Sequence, residues 1–323
     1  MDPVLHRLGN DQIPTRKRLR SAAFVSPTRA VFMASTESPK LSSVCTAVQL
    51  ALPANAAFSH LTSAVLRNWR LPTMDHTLII ASTDALAPHH NRRGVYVRRS
   101  AVPDLDRQVM GGIRICSPEW TIVELAEDLS LLDLVAVIDG ALHTKDCTKE
   151  SIERAVVPGR RGAKVLRQAL LTVDGRSESW WESILRQLYA LSGIPVEPQQ
   201  SIFDAQGNFV ARADLRILGS DRYPEYVGES HRDRDRHRRD LAREKGMARI
   251  GKERYGYTAP EIIHSPELVI RDAEDALGLV PDPGRLTFWS EEFEKSSMSK
   301  AGQRALNRRV SRFDRSESPR GRT

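Results

Sequence analysis

The sequence predicts two folded domains, an α+β first half and an α/β second half in which a mixed sheet is flanked by helices. Three observations lead there. The chain has 323 residues, more than one typical domain holds. Its 40% hydrophobic and 28% charged residues suit packed cores rather than disorder. Apolar spacing switches between helical and strand periods along the chain, and changes character near residue 174.

Residues 1–40 are a short basic segment. Thr15-Arg16-Lys17-Arg18-Leu19-Arg20 and Arg29-Ala30-Val31-Phe32 are too little for a complete winged helix. Residues 41–173 form the first domain. Small apolar residues are dense over 41–71 and broken at Pro53, which predicts two packed helices. Strand-like runs at 77–81 and 94–98 bracket a polar loop with Pro88, His89 and His90. With no acid or thiol nearby in sequence, that histidine pair reads as solvated rather than metal-binding.

Ser117-Pro118-Glu119 opens a helix: a hydroxyl at the N-cap, proline at the first helical position, an acid in the first turn. Further helices are expected over 131–143, 148–156 and 161–171. Gly159-Arg160-Arg161-Gly162 and Asp174-Gly175-Arg176 bracket the domain boundary.

Residues 174–280 form the second domain. Ser179-Trp180-Trp181-Glu182 starts a helix that buries Trp181, Ile184, Leu185, Leu188 and Leu191, and Gly193 with Pro195 ends it. Strands follow at 198–204 and 209–217 around Asp204-Ala205-Gln206-Gly207-Asn208, then at 222–227. A charged helix over 230–245, stopped by Gly246, leads to a fourth strand at 247–250. Apolar signal fades beyond 281, so residues 281–323 read as a disordered basic tail.

Charge narrows the function. A formal charge of +7 and a pI near 9.5 favour a polyanionic partner such as a nucleic acid, although a basic surface alone is as compatible with no such partner. Cys45, Cys116 and Cys147 are far apart and lack zinc-ligand spacing, which makes them buried thiols. The start Met1-Asp2-Pro3 has no secretory pattern, and no run of roughly eighteen apolar residues occurs, so no membrane partner is expected and the cytoplasm is the expected compartment.

Metal-dependent phosphodiester cleavage needs carboxylates that converge on one point, because a hard cation takes oxygen ligands and activates water. Glu182, Asp214 and Glu225 can supply them. Asp214 alternates with Ala213, Leu215 and Ile217, so its carboxylate lies on the face opposite those side chains. Glu225 follows on the next strand, across Gly219-Ser220-Asp221. Each acid also has a structural explanation, which for Asp214 is a solvent-facing acid on a strand. Glu182 stands three residues after Ser179 in a capping-box pattern, and Glu225 lies near Arg222 and can form a surface ion pair. The helix over 230–245 carries Arg232, Arg234, Arg236, Arg238, Arg239 and Arg243, whose forked donors suit phosphate oxygens. The alternative is a solvated, salt-bridged face.

The order of a helix with Glu182, a strand with Ala211-Arg212-Ala213-Asp214-Leu215, a strand with Glu225-Tyr226-Val227-Gly228, then His231 and a basic helix resembles the very-short-patch-repair-like branch of the PD-(D/E)XK endonucleases. The resemblance covers roughly residues 174–263. It implies a restriction-endonuclease-like domain with Asp214 and Glu225 as Mg²⁺ ligands, Glu182 assisting, and His231 at phosphate or water. Arg232, Arg234, Arg238 and Arg239 are the expected nucleic-acid contacts. Two positions depart from the pattern: Val227 stands where that family places its second strand acid, and Pro224 removes an N–H from a paired strand. Glu229 is close enough to replace the acid.

Phe58-Ser59-His60-Leu61-Thr62-Ser63-Ala64, Leu71-Pro72, Thr77-Leu78-Ile79-Ile80, Gly94-Val95-Tyr96-Val97-Arg98-Arg99-Ser100 and Ser117-Pro118-Glu119-Trp120-Thr121 are similar to AbiEi-like bacterial antitoxins and transcriptional regulators. That resemblance implies a cognate toxin or a nucleic-acid-processing partner. The winged helix of that family is truncated here. Ser59 reads as a helix-capping serine and His60 as a packed histidine rather than catalytic groups. Two functions follow: a DNA-binding, antitoxin-like or regulatory protein with a degenerate nuclease-like domain, or an active Mg²⁺-dependent endonuclease.

Overall fold

The structure is a computed structural model and describes residues 5–7, 19, 21–36, 38–72, 79–88, 91–228 and 243–311. The chain divides into two units: residues 1–129, 150–166 and 304–323 make the first, and residues 130–149 and 167–303 the second.

The first unit begins with a three-stranded antiparallel sheet in the order β1-β3-β2, with β1 at Leu5–Arg7, β2 at Phe24–Thr28 and β3 at Val31–Ala34. A six-stranded mixed sheet follows. Its strands are β4 (Ala57–Phe58), β5 (Ile79–Thr83), β6 (Asn91–Arg92), β7 (Val95–Arg99), β8 (Arg107–Met110) and β9 (Ile113–Cys116), in the order β6-β7-β5-β4-β9-β8. All of β5 is buried, as expected for a strand covered on both faces, and it runs parallel to β7 from Ile79 opposite Val95. The helix Leu41–Gln49 brings Cys45 and Val48 onto Phe58, Ile79, Val95 and Ile113. The β8–β9 hairpin has no counterpart among the strands expected from sequence. It turns on Gly111-Gly112 at φ 56° and 80°, the pair of positive φ values that matches strand twist in a two-residue turn. The helix Pro118–Leu125 starts as expected, with Ser117 Oγ accepting from the Trp120 amide at 3.0 Å. The three cysteines are buried and form no disulfide.

In the second unit the helix Trp180–Leu191 precedes β10 (Val196–Phe203) and β11 (Phe209–Ile217), an antiparallel pair. β12 (Arg222–Tyr226) pairs in parallel with β13 (Glu253–Tyr257), and residues 243–249 between them are helical. The helices Leu131–His143, Pro266–Leu277 and Thr287–Lys295 complete the core, in which Leu132, Leu185, Leu188, Leu215, Ile270 and Trp289 pack together.

Three expectations are corrected. Residues 247–250 are not a strand, and Gly246 does not stop the helix. Met247 is fully buried against Ala211, Ala213 and Tyr223, with Ile250 one turn on at its side. A Cβ at Gly246 would meet Val210 Cγ1 at 3.1 Å, so the glycine lets this helix lie close to β11. The tail beyond 281 is ordered as far as it is described. Trp289 and Phe293, four residues apart, stack at 6.0 Å, and Ser297 Oγ donates to Asp133 at 2.7 Å. The apolar residues there are few but helically spaced. Pro224 costs β12 no ladder bond. The Tyr226 amide points to β11 and the Val227 amide donates to the Tyr257 carbonyl on β13 at 2.8 Å, so by alternation the Pro224 nitrogen faces β11. Among the described residues no backbone ladder joins β11 to β12.

Candidate functional site

The helix Trp180–Leu191 places Glu182 in its first turn, where Ser179 Oγ accepts from the Glu182 amide at 3.1 Å. The Glu182 carboxylate does not close a capping box. It reaches one residue further back, accepting from the Glu178 amide at 2.7 Å, and also accepts from Gln199 Nε2 at 3.2 Å. Trp181 stacks on Tyr226 with ring centroids 5.8 Å apart, which ties this helix to β12.

Asp214 sits on the half-buried face of β11, opposite Ala213 and Leu215 as the alternation predicts. Its Oδ2 accepts from the Tyr226 amide at 3.0 Å. Burial pushes the Asp214 carboxyl up to about 7, and the charge on Glu182 adds to this. The Tyr226 amide opposes the rise, Glu225 reinforces it and Arg243 counters it. Glu182 and Glu225 are therefore both brought close enough to Asp214 to act on its carboxyl.

Glu225 is 3% exposed and carries no ion pair to Arg222. Arg222 instead pairs with Glu253 at 2.9 Å and lies 4.0 Å over the Tyr255 ring. Glu225 is held by two other arginines: Arg254 Nε donates to Oε2 at 2.6 Å, and Arg243 donates to Oε1. The same Arg243 nitrogen donates to the Arg212 carbonyl on β11. Neither arginine is visible from sequence as a partner of Glu225. The signal that could have found Arg254 is its place on β13, one residue from Tyr255, which opposes Pro224.

Gln199 is a second residue that the sequence does not single out. It stands opposite Asp214, between the pairs Pro198–Leu215 and Gln200–Ala213, in the left-handed region at φ 55°. A non-glycine residue there costs on the order of 1–2 kcal/mol, so the surroundings must hold it. Its amide grips Glu182, and its Oε1 is buried without a hydrogen-bond partner among the described residues.

These residues do not fit Mg²⁺. Both Glu225 oxygens receive guanidinium donors, and one oxygen each of Asp214 and Glu182 is taken by backbone or amide N–H groups. Among the described residues no group of three or more His, Cys, Asp or Glu is arranged to hold a metal. Val227, where a second strand acid was expected, is 41% exposed beyond the end of β12. Glu229, His231, Arg232, Arg234, Arg238 and Arg239 lie outside the described residues, as do His89 and His90.

The first unit holds a different polar cluster. Ser59 precedes the helix His60–Leu66 but makes no side-chain cap. Its Oγ lies 2.8 Å from Ser82 Oγ, which donates to Glu124 Oε1 at 2.8 Å. His60 Nε2 lies 3.1 Å from Asp128 Oδ2, and both side chains are fully buried. Arg98 approaches Glu124 at 3.5 Å and pairs with Glu127 at 2.8 Å. Burial would raise the Glu124 carboxyl, yet Arg98, His60 and the two serines bring it below the ordinary glutamate value. With Ser59 and His60 at 0% exposure, no substrate reaches them, which agrees with a packed histidine.

Comparison with known proteins bears on the first half. Residues 21–172 match the AbiEi antitoxin C-terminal domain. The AbiEi-like region thus takes in β2, β3 and the whole six-stranded sheet. Two uncharacterized proteins of Mycobacterium tuberculosis, from strains CDC 1551 / Oshkosh and ATCC 25618 / H37Rv, are each 34% identical over 110 residues. The alignment covers 33% of this chain and 41% of either relative, so the chain spans less than half the length of the relatives it matches. No solved structure matches the chain. Among the described residues no helix is long and apolar enough to cross a membrane.

Proposed function

We propose that this chain is an antitoxin-like regulatory protein that restrains a cognate toxin through its AbiEi-like region and associates with DNA through its basic charge. The match of residues 21–172 to an antitoxin domain carries the reading. The charge of +7 and the arginines at 232, 234, 238 and 239 support the nucleic-acid part. In the second half, the succession of helix, three strands, helical turn and strand, with acids on the helix and on β11 and β12, supports descent from a very-short-patch-repair-like PD-(D/E)XK domain. The arginines on Glu225 favour binding over cleavage there. Co-expression with a candidate cognate toxin from the same genome tests the proposal. Relief of toxicity and a stable complex of the two purified proteins are expected; unrelieved toxicity with no complex would overturn it.

One observation favours the second reading, a Mg²⁺-dependent endonuclease. Glu182, Asp214 and Glu225 lie near enough to shift the Asp214 carboxyl, as converging ligands would. On that reading Asp214 and Glu225 hold the cation, Glu182 assists, and Glu225 must first leave its arginines.

A further inference from the structure

The acids on β11 and β12 meet arginines at the point where such acids elsewhere meet a divalent cation. We infer that Arg243 and Arg254 are internal counter-cations: they supply Glu225 with the positive charge a metal would otherwise supply, and they fasten β11 to β12 and β13 without one. The inference stands apart from the toxin reading, and either can fail without the other.

Glu225 is 3% exposed, and a carboxylate that deep is tolerated only when its charge is matched and its lone pairs are filled. Arg254 fills Oε2 at 2.6 Å from β13, the strand paired with β12. Arg243 fills Oε1 from the helical residues 243–249 and at the same time takes the Arg212 carbonyl of β11, two residues before Asp214. One guanidinium therefore spans the two acid-bearing strands. That bridge matters because β11 and β12 share no backbone ladder among the described residues, and Pro224 could not donate to one. The Tyr226 amide on Asp214 adds a further link between these strands, and the Trp181 ring on Tyr226 ties β12 to the preceding helix. A cation coordinated by Glu225 would lie within a few ångströms of both guanidinium groups and would be repelled by them. Mg²⁺ also needs near-octahedral oxygen geometry, whereas Asp214 and Glu182 have each given an oxygen to an N–H donor.

The test uses the full chain, thermal unfolding in EDTA, Mg²⁺ and Mn²⁺, and the electron-paramagnetic-resonance signal of aqueous Mn²⁺. The wild type is expected to melt at one temperature in all three conditions and to leave the Mn²⁺ signal at full intensity. Arg243→Ala with Arg254→Ala should melt several degrees lower in EDTA and recover part of that loss in millimolar Mn²⁺. Adding Glu225→Gln should abolish the recovery. Saturable Mn²⁺ uptake by the wild type would overturn the inference, and so would a double variant that melts like the wild type or is destabilised but blind to Mn²⁺. Should the double variant not fold, the spectroscopic reading on the wild type still decides, and Arg243→Lys, which keeps charge but cannot span both strands, should show the smaller thermal loss.

Discussion

The Tyr226 amide donates to Asp214 Oδ2 at 3.0 Å, so a side-chain carboxylate stands where a backbone carbonyl of β11 would otherwise receive β12. Asp214 is thereby a joint between strands as well as an acid, and its charge state matters to the fold.

The first prediction concerns pH. Burial, then Glu182, holds the Asp214 carboxyl up to about 7, against an ordinary value of 3.8, with Glu225 and Arg243 also facing it. A group raised in the folded state contributes stability fully below its unfolded value and loses it as pH rises through the folded one. Asp214→Asn removes the titration and keeps an oxygen for the Tyr226 amide. Its unfolding free energy should be flatter between pH 4 and 7 than the wild type's, and higher at pH 8 by on the order of 1–2 kcal/mol. Urea titrations at pH 5 and pH 8 check this; the same change in stability between the two pH values for both proteins would count against a raised carboxyl.

The buried cluster of the first unit gives a second. Arg98→Met leaves the fully buried Glu124 without its guanidinium, with only Ser59, Ser82, Trp120 and the nearby His60 to offset its charge. Breaking a buried pair from one side costs about 3–5 kcal/mol, whereas removing both charges is far milder. Arg98→Met should lose stability on that scale and Arg98→Met/Glu124→Gln should regain most of it in guanidinium unfolding. A double variant as unstable as the single would refute the pairing.

A third prediction rests on space. A Cβ at Gly256 would lie 2.6 Å from Val227 Cγ2. Gly256→Ala should cost about 1–3 kcal/mol by overpacking, and Val227→Ala should rescue it with a positive coupling in a double-mutant cycle. Purely additive losses would show that the two side chains do not meet.

The fourth concerns DNA. If the arginine-rich segment tracks phosphates, Arg234→Ala/Arg238→Ala should flatten the dependence of log affinity on log salt by roughly one unit for each phosphate no longer neutralised. The control is Arg304→Ala/Arg308→Ala, exposed on the helix Lys300–Ser311. Arg309 makes a poor control because it donates to the Asp128 carbonyl. A slope changed only by the control pair would move DNA binding to that helix.

Much of the fold is legible in the sequence where local signals agree with burial. Ser117-Pro118 opens its helix as expected, Leu131–His143 keeps its expected bounds, and alternation puts Ala213 and Leu215 inside and Asp214 on the other face. The misses have physical causes. A two-residue glycine turn makes a hairpin from strands of only four residues each, too short to read, at Arg107–Met110 and Ile113–Cys116. Gly246 resembles a helix stop, but its role is the close approach to Val210. The nearness of Glu182, Asp214 and Glu225 follows from strand order, since each lies on a neighbouring element. The arginines on Glu225 do not, because Arg243 and Arg254 reach it from 18 and 29 residues away along the chain, and sequence spacing does not encode such pairings.

The proposal that this chain binds DNA without cutting it is tested most directly on supercoiled plasmid. The purified chain would be incubated with it in Mg²⁺, in Mn²⁺ and in EDTA, beside Asp214→Asn. Retarded but intact supercoiled DNA is expected in all three conditions, for both proteins alike. Nicking that requires the metal and vanishes in Asp214→Asn would contradict this and make the chain an endonuclease.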